Sequence, residues 1–404
     1  MRNFDRTIRM SSPDITQLER DAVAAVMETS WLAMGPEIEG FEKELADYVG
    51  MKHAIAVSSG TTGLHLCVRA ASISDGDLVL TTPFSFISSS SILCYERAIP
   101  VFVDVDPETG NINPAMAAEA VEDLQAGGER ARRWLPRTGA SETSALKAIL
   151  PVDVFGQPAN YDLLENLAQS HSLAMIEDSC EALGSFYNDR PAGSFGDAGV
   201  FAFYPNKQMT TGEGGIVVTN RDDWAAMVRS LSNQGRAPGD TWLQHTFLGY
   251  NYRMTEMSAA LGRAQLSRLD DLIARRTRVA GWYEERLSAF DRLTTLPIEA
   301  STTRMSWFVY VIRFAEEVNR NDVIAALQER GVASRPYFSP IHLQSYFRDA
   351  FGYRPGDFPV TEMLGEQNLA IPFSSVMPEE DVAYVCDALR DILSGQGERK
   401  TSGP

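Results

Sequence analysis

Residues 199–219 decide the fold and read Gly199-Val-Phe-Ala-Phe-Tyr-Pro-Asn-Lys-Gln-Met-Thr-Thr-Gly-Glu-Gly-Gly-Ile-Val-Val-Thr219. Two apolar runs, rich in β-branched and aromatic residues, flank a glycine-rich loop, which predicts two buried strands joined by a sharp turn. Lys207 lies in that loop, and a lysine between buried strands is costly when charged and unpaired. Two interpretations stay open. The side chain reaches solvent, as most lysines do, or it is a desolvated amine suited to forming a Schiff base.

Short apolar runs alternate with helical patterns along the first half of the chain. The runs cover residues 54–57, 77–81, 101–105, 148–155 and 173–178. Strands that alternate with helices predict an α/β fold with a mostly parallel, doubly wound sheet flanked by helices. Beyond it, a long helical pattern covers residues 255–290, and Trp307-Phe-Val-Tyr-Val-Ile312 opens a smaller α+β region. We therefore predict a large domain with an N-terminal arm over residues 1–265 and a small domain over residues 266–404.

The composition is that of an ordinary globular protein. The chain has 404 residues, of which 44% are hydrophobic and 22% charged, and this length suits one large and one small domain. No apolar run is long enough to span a membrane, and the N-terminus lacks the apolar core of a signal peptide. We therefore expect a cytoplasmic protein without a membrane partner.

Cysteines and histidines are few and scattered. The four cysteines show no CxxC spacing, which indicates free thiols in a reducing compartment. The five histidines form no metal-ligand pattern, so we expect no metal site. The net charge of −18 disfavours nucleic acid as a partner, and an anionic substrate would need arginines concentrated at its site.

Two further segments carry groups that suit a charged ligand. Ser58-Ser-Gly-Thr-Thr-Gly63 follows an apolar run and opens a helix, and free N–H groups at a helix N-terminus bind anions. The same sequence is typical of a simple capped turn. Asp178 ends the run 173–178, and ligands of parallel α/β sheets bind at the carboxyl ends of strands. The alternative for Asp178 is a helix cap.

These features together match the needs of one cofactor, pyridoxal phosphate. Its aldehyde needs a lysine amine, its phosphate needs backbone donors at a helix N-terminus, and its pyridine nitrogen needs a carboxylate. Lys207, the turn at 58–63 and Asp178 supply these groups on one predicted sheet. Their joint occurrence indicates a pyridoxal-phosphate enzyme more strongly than any one of them alone.

Longer segments resemble the DegT/StrS-type sugar aminotransferases, from about residue 34 to about residue 387. The matching segments are Val57-Ser-Ser-Gly-Thr-Thr-Gly-Leu-His-Leu66, Pro83-Phe-Ser-Phe86, Val103-Asp-Val105, Phe155-Gly-Gln-Pro158, Glu177-Asp-Ser-Cys-Glu-Ala-Leu-Gly184, Asn206-Lys-Gln-Met-Thr-Thr-Gly-Glu-Gly-Gly215, Gly249-Tyr-Asn-Tyr-Arg-Met254 and Tyr337-Phe-Ser-Pro-Ile-His342. The loop around Lys207 is similar to that of perosamine-synthase-like members. The resemblance implies a fold-type I aminotransferase, with a seven-stranded-type sheet in the large domain and a smaller C-terminal α+β domain.

The resemblance also implies roles for single residues. Lys207 would link covalently to the cofactor's aldehyde and move the proton, and Asp178 would pair with the pyridine nitrogen. Gly60, Thr61 and Thr62 would hold the phosphate. These residues stand at the positions that the family's motifs occupy.

Four more positions follow from the resemblance. Phe86 would stack on the cofactor ring, Glu181 would sit beside its hydroxyl, and Asn251 would reach the phosphate bound by the neighbouring subunit of a homodimer with shared sites. Many members carry a phosphate-binding serine where this chain has Ala202. Glu181 stands where glutamine is frequent, so its carboxyl is expected to be protonated or turned toward substrate, since an ionised one would repel the ring phenolate.

The implied reaction moves an amino group from an amino acid, with L-glutamate as the expected donor, to a nucleotide-linked keto-sugar. Arginines that could bind the donor carboxylate or the diphosphate are Arg229, Arg236, Arg253 and Arg335. Two alternatives within enzymes are a keto-cyclitol acceptor and a sugar dehydratase with the same cofactor. Known dehydratase relatives have histidine in place of the lysine, so Lys207 argues against the second. A cofactor-binding sensor without catalysis is the alternative from another class.

Overall fold

The computed structural model describes residues 6–141 and 144–401. Its helices, in chain order, are α1 (Gln17–Thr29), α2 (Pro36–Val49), α3 (Gly60–Ala70), α4 (Ser88–Tyr95), α5 (Pro114–Ala126), α6 (Gly128–Arg132), α7 (Tyr161–Ser170), α8 (Asp222–Ser232), α9 (Glu256–Leu266), α10 (Leu269–Leu287), α11 (Arg320–Gln328), α12 (Ser345–Phe351), α13 (Pro359–Gln367) and α14 (Glu379–Thr401). Its strands are β1 (His53–Val57), β2 (Leu78–Thr81), β3 (Ile99–Phe102), β4 (Leu146–Ile149), β5 (Ala174–Asp178), β6 (Phe186–Tyr187), β7 (Arg190–Pro191), β8 (Ala198–Ala202), β9 (Gly215–Thr219), β10 (Leu293–Thr295), β11 (Thr302–Arg304), β12 (Tyr310–Phe314) and β13 (Asn368–Ile371).

A seven-stranded sheet forms the centre of the molecule, in the order β1-β9-β8-β5-β4-β2-β3. The neighbours from β8 to β3 pair in parallel, whereas β9 pairs antiparallel with both β8 and β1. The predicted mostly parallel sheet is therefore confirmed. Parallel strands place their carboxyl ends at one edge, and β5 and β8 bring Asp178 and the loop of Lys207 to that edge.

Both faces of the central sheet are buried. In β1, Ile55 and Val57 pack in the core that contains α3 and α8, while Ala54 and Ala56 pack in the opposite core with Phe41 of α2. Successive side chains of a strand point to opposite faces, so a strand covered on both sides reads as a continuous apolar run. This is why the strands of the large sheet were visible in the sequence.

A second, antiparallel sheet of three strands follows, in the order β10-β12-β13. Its core joins Tyr283 of α10, Ile312 of β12 and Leu389 of α14. Ile8 from the N-terminal arm enters the same core, and its N–H donates to the carbonyl of Gly331 at 2.9 Å. A third small sheet has the order β11-β6-β7.

The C-terminal part also returns to the large sheet. Phe347, Phe351 and Tyr353 pack in one core with Phe102 of β3. The N-terminal arm thus packs in the core of the predicted small domain, and the returning segment packs on the sheet of the predicted large domain. The division between residues 265 and 266 stays a prediction. Across the part of the chain that the structure describes, no helix combines the length and apolar character that crossing a bilayer requires.

Candidate active site

A cavity of about 990 Å³ lies at the carboxyl edge of the large sheet, between that edge, the N-termini of α3 and α4, and the segments before β12 and α12. Most of the predicted site residues line it, namely Gly60, Thr61, Phe86, Asp178, Glu181 and Lys207. Thr62 and Asn251 do not line it. Groups from distant parts of the sequence therefore meet in one cavity.

The N-terminus of α3 forms one end of the cavity. Ser59 caps the helix, and its hydroxyl accepts from the Thr62 N–H at 3.2 Å. The Thr62 hydroxyl in turn accepts from the Ser59 N–H at 3.1 Å and donates to the Ser59 carbonyl at 2.8 Å. The structure thus places the Thr62 hydroxyl in the cap rather than on the cavity wall. The N–H groups of Gly60 and Thr61 belong to the first turn, which lacks intrahelical acceptors, and suit an anion.

Gly60 is needed at this position because the neighbouring walls are very close. A Cβ on Gly60 would lie 2.7 Å from Sγ of Cys180 and 2.8 Å from Cβ of Ala202. Ala202 therefore closes the cup at the position where the family resemblance implied a serine hydroxyl. On the other side, the Thr61 hydroxyl lies 2.9 Å from that of Ser88. The result is a tight cradle with backbone and hydroxyl donors, which fits the phosphate of pyridoxal phosphate.

Asp178 ends β5 and is 5% exposed. Its Oδ2 accepts from the Ser89 hydroxyl at 2.7 Å, and its Oδ1 accepts from the Cys180 N–H at 3.3 Å. The Ser89 hydroxyl also lies 2.8 Å from that of Ser85. Two donors fix the orientation of the carboxylate, which can then face a protonated pyridine nitrogen. Ser89 was missed in the sequence, although the run of four serines at 88–91 was a signal for it.

Lys207 points into the cavity instead of into solvent. Its side chain is 13% exposed, and its Nζ lies 3.5 Å from Oε1 of Glu181. The same Nζ lies 3.8 Å from the centroid of the Phe308 ring. The side chain is therefore not extended into solvent, and its role in forming a Schiff base stays a prediction. Phe308 was also missed, because its apolar run is typical of an ordinary buried strand.

Glu181 is buried beside the lysine. Its Oε2 accepts from the Phe155 N–H at 2.9 Å, which turns Oε1 toward Lys207. Burial raises the pKa of the Glu181 carboxyl, and the charge of Lys207 opposes that rise. Phe86, which is 62% exposed, also lines the cavity.

Arg276 of α10 supports the lysine from outside the cavity. Its Nη2 donates to the Lys207 carbonyl at 2.6 Å, and its Nη1 donates to the carbonyls of Trp307 at 3.0 Å and Phe308 at 3.3 Å. The sequence held a signal for it, because Arg276 stands at a core-facing position of an amphipathic helix, in step with Leu272 and Val279.

The remaining candidates lie elsewhere in this chain. Asn251 is exposed and pairs with Asn233, and its neighbours Tyr250 and Tyr252 stack on each other at 4.7 Å. Three of the four candidate arginines line a second pocket of about 540 Å³, namely Arg229, Arg236 and Arg253. Arg335 is exposed and donates to the Ser334 carbonyl. None of the four lines the cavity of Lys207.

Comparisons with known proteins agree with the fold. The chain matches the DegT/DnrJ/EryC1/StrS aminotransferase family over residues 13–390. It is 38% identical over 389 residues to GDP-perosamine synthase of Caulobacter vibrioides, across 96% of this chain and 98% of that protein. It is 35% identical over 398 residues to the spore coat polysaccharide biosynthesis protein SpsC of Bacillus subtilis, across 95% and 97%. Among solved structures, Helicobacter pylori PseC, an aminotransferase involved in the biosynthesis of pseudoaminic acid, superimposes with a TM-score of 0.86 at 25% identity, covering 96% of this chain and 100% of that one.

The fold and the cavity together define a pyridoxal-phosphate-dependent aminotransferase. The chain belongs to the DegT/DnrJ/EryC1/StrS aminotransferase family. The predicted family, fold class and cofactor are therefore confirmed.

Proposed function

We propose that the enzyme transfers an amino group from L-glutamate to a keto-sugar carried on a nucleotide. The observation that carries this proposal is the convergence of the α3 cradle, Asp178 and Lys207 in one cavity. The similarity to GDP-perosamine synthase across nearly the whole of both chains supports a nucleotide-linked sugar as the acceptor. A cavity of about 990 Å³ has room for a sugar beside the cofactor.

Each cavity residue has a proposed task. The N–H groups of Gly60 and Thr61 bind the phosphate, and Asp178 keeps the pyridine nitrogen protonated. Lys207 would hold the aldehyde and act as the general acid and base. When bound, pyridoxal phosphate would supply a ring that accepts electrons from the carbon bearing the amino group. Phe86 would pack against that ring.

Glu181 completes the proposed site at the side of the ring hydroxyl. A protonated carboxyl there donates a hydrogen bond where an ionised one would repel. Burial raises the pKa of Glu181, which favours the neutral carboxyl more than at an exposed position. Thr62 would act on the phosphate only indirectly. Its hydroxyl donates to the Ser59 carbonyl and so stabilises the cap that presents the N–H groups of the first turn.

The proposal includes a homodimer in which Asn251 reaches the partner's phosphate. Its exposure on a loop that does not line its own cavity supports this arrangement. Large apolar side chains are exposed nearby, namely Trp242, Leu243 and Leu248. We place the enzyme in the cytoplasm, which the free thiols of its four cysteines support.

Two assays, carried out one after the other, test the proposed function. Glutamate alone should convert the bound cofactor to its amine form, and the loaded enzyme should then aminate a nucleotide-linked keto-sugar. A panel of such sugars, with a keto-cyclitol and the free sugar as controls, identifies the acceptor. Conversion of the cofactor followed by transfer to the cyclitol alone would favour the cyclitol aminotransferase. Release of water from the sugar without amination would favour the dehydratase.

A further inference from the structure

Arg276 is an unusual charged residue because it lies in the core and no acid among the described residues lies beside it. It is 2% exposed, and this burial lowers the pKa of its guanidinium to about 10. No carboxylate in the described part of the chain opposes that shift. Burying a cation is unfavourable unless its donors are satisfied. The acceptors of Arg276 are three backbone carbonyls, and its Nε has none among the described residues.

The three carbonyls belong to two separate segments of the chain. One is the carbonyl of Lys207, and the other two belong to Trp307 and Phe308, about a hundred residues further on. A planar guanidinium presents its donors in a fixed fork, so it can set the distance between two backbones in a way that an ammonium cannot. Arg276 therefore fixes the Lys207 loop against the segment that precedes β12.

The consequence reaches the cavity through Lys207 and Phe308. The backbone of each residue is bound by Arg276, and their side chains meet on the other side, with Nζ at 3.8 Å from the ring centroid. The position of the amine over the ring thus depends on the distance between the two backbones. The Gln208 side chain donates to the Ser306 hydroxyl at 2.8 Å and so joins the same two segments of the chain.

We propose that Arg276 is a positioning residue that holds the amine of Lys207 at the place where it meets the cofactor's aldehyde. This inference rests on the proposed role of Lys207. It does not make Arg276 a catalytic residue, since the guanidinium contacts the backbone and not the cavity.

The decisive variant is Arg276→Lys, which keeps the charge and loses the fork. Arg278→Lys, at an exposed position of the same helix, is the matched control. We expect Arg276→Lys to slow the covalent capture of pyridoxal phosphate by about tenfold to a hundredfold, because small displacements of reacting groups have effects of this size. Stopped-flow absorbance measures the capture. The amine form of the cofactor, which cannot link to a lysine, should bind the variant and the wild type equally.

A second measurement uses the cofactor-free protein. Trace acetylation followed by mass spectrometry compares the reactivity of Lys207 with that of the exposed Lys43 in the same molecule. In Arg276→Lys the ratio should rise severalfold, because the amine is no longer held over Phe308. Adding Phe308→Leu to Arg276→Lys should change this ratio little further, since both substitutions release the same contact.

Three outcomes overturn the inference. They are capture at the wild-type rate in Arg276→Lys, unchanged acetylation of Lys207, or an equal loss of binding for the aldehyde and amine forms of the cofactor, which would indicate a merely structural role. Should the wild type itself capture the cofactor on another lysine, the proposed role of Lys207 fails instead, and mapping of the labelled peptide separates the two cases.

Discussion

Nζ of Lys207 lies 3.5 Å from Oε1 of Glu181 in a cavity where both side chains are largely buried, at 13% and 9% exposure. The Phe155 N–H holds the other oxygen of the carboxyl, so Glu181 cannot turn away without losing that hydrogen bond. The two groups therefore form a close, largely buried pair. A glutamine at position 181 would place a neutral amide, which does not titrate, beside Lys207.

Glu181→Gln should therefore change how stability depends on pH. Burial raises the pKa of Glu181 in the folded protein above the unfolded value of about 4.3. Between these two pKa values the folded state binds the proton more tightly, so this group's contribution lowers the free energy of unfolding as the pH rises. Glu181→Gln removes that contribution. Urea unfolding of the cofactor-free protein at several pH values measures this effect. The free energy of unfolding of the variant should rise relative to that of the wild type as the pH increases.

The exposed Glu213, which also lines the cavity, provides the control. Glu213→Gln should leave the pH profile of the wild type unchanged. Parallel profiles for Glu181→Gln and the wild type would show that burial does not perturb Glu181.

Gly60→Ala should damage the phosphate cradle. The added methyl would lie under 3 Å from Cys180 and Ala202, and overpacking of this kind costs about 1–3 kcal/mol. Affinity for pyridoxal phosphate and for its amine form should both fall, since each carries the phosphate. Gly281→Ala, with open space around the position, should instead stabilise α10 by up to about 1 kcal/mol. Normal cofactor titration curves for Gly60→Ala would speak against the cradle.

Asp178→Asn should slow the conversion of the cofactor by glutamate by orders of magnitude, because the variant lacks the charge that keeps the pyridine nitrogen protonated. Ser89→Ala removes one of two donors to the carboxylate. A hydrogen bond to a charged group is worth about 1.5–3 kcal/mol, so this variant should be slower by at least about tenfold. Single-turnover absorbance measures both, with Asp349→Asn at an exposed position of α12 as the control. Near-normal turnover in Asp178→Asn would refute its role.

Asn251 and Lys207 should complement each other between subunits. A mixed dimer of Lys207→Ala and Asn251→Ala chains has one site with both changes and one with neither, if the sites are shared. After subunit exchange, activity should rise toward about a quarter of the wild-type value, since about half of randomly formed dimers are mixed. Activity no greater than the average of the two parent variants would mean that Asn251 acts within its own subunit or not at all.

The large sheet could be predicted because its strands are buried on both faces and alternate with helices. The ends of the strands were less predictable. The apolar run 148–155 was expected to be one strand, but β4 ends at Ile149 and Phe155 has a φ of 60°. The backbone there is held by side chains distant in sequence, with Asn111 accepting from the Val154 N–H and Glu181 from the Phe155 N–H. Pattern alone does not reveal such bonds.

The same limit applies to the cavity. Motifs located Gly60 at the start of a helix, Asp178 at the end of a strand and Lys207 in the loop between two strands. The apolar run 307–312 enters a strand only at Tyr310, and the bend before it brings Phe308 under the lysine. Arg276 acts through backbone carbonyls. Every residue has one, so the sequence does not show which carbonyls Arg276 binds.

Borohydride reduction of the purified holoenzyme tests the central claim most directly. The reduced cofactor, fixed to its lysine and located by peptide mapping, should lie on Lys207. Lys207→Ala should abolish the label, and Lys147→Ala, which changes an exposed lysine of β4, should retain it. Recovery of the label on Lys43, Lys52 or Lys147 in the wild type would contradict the account.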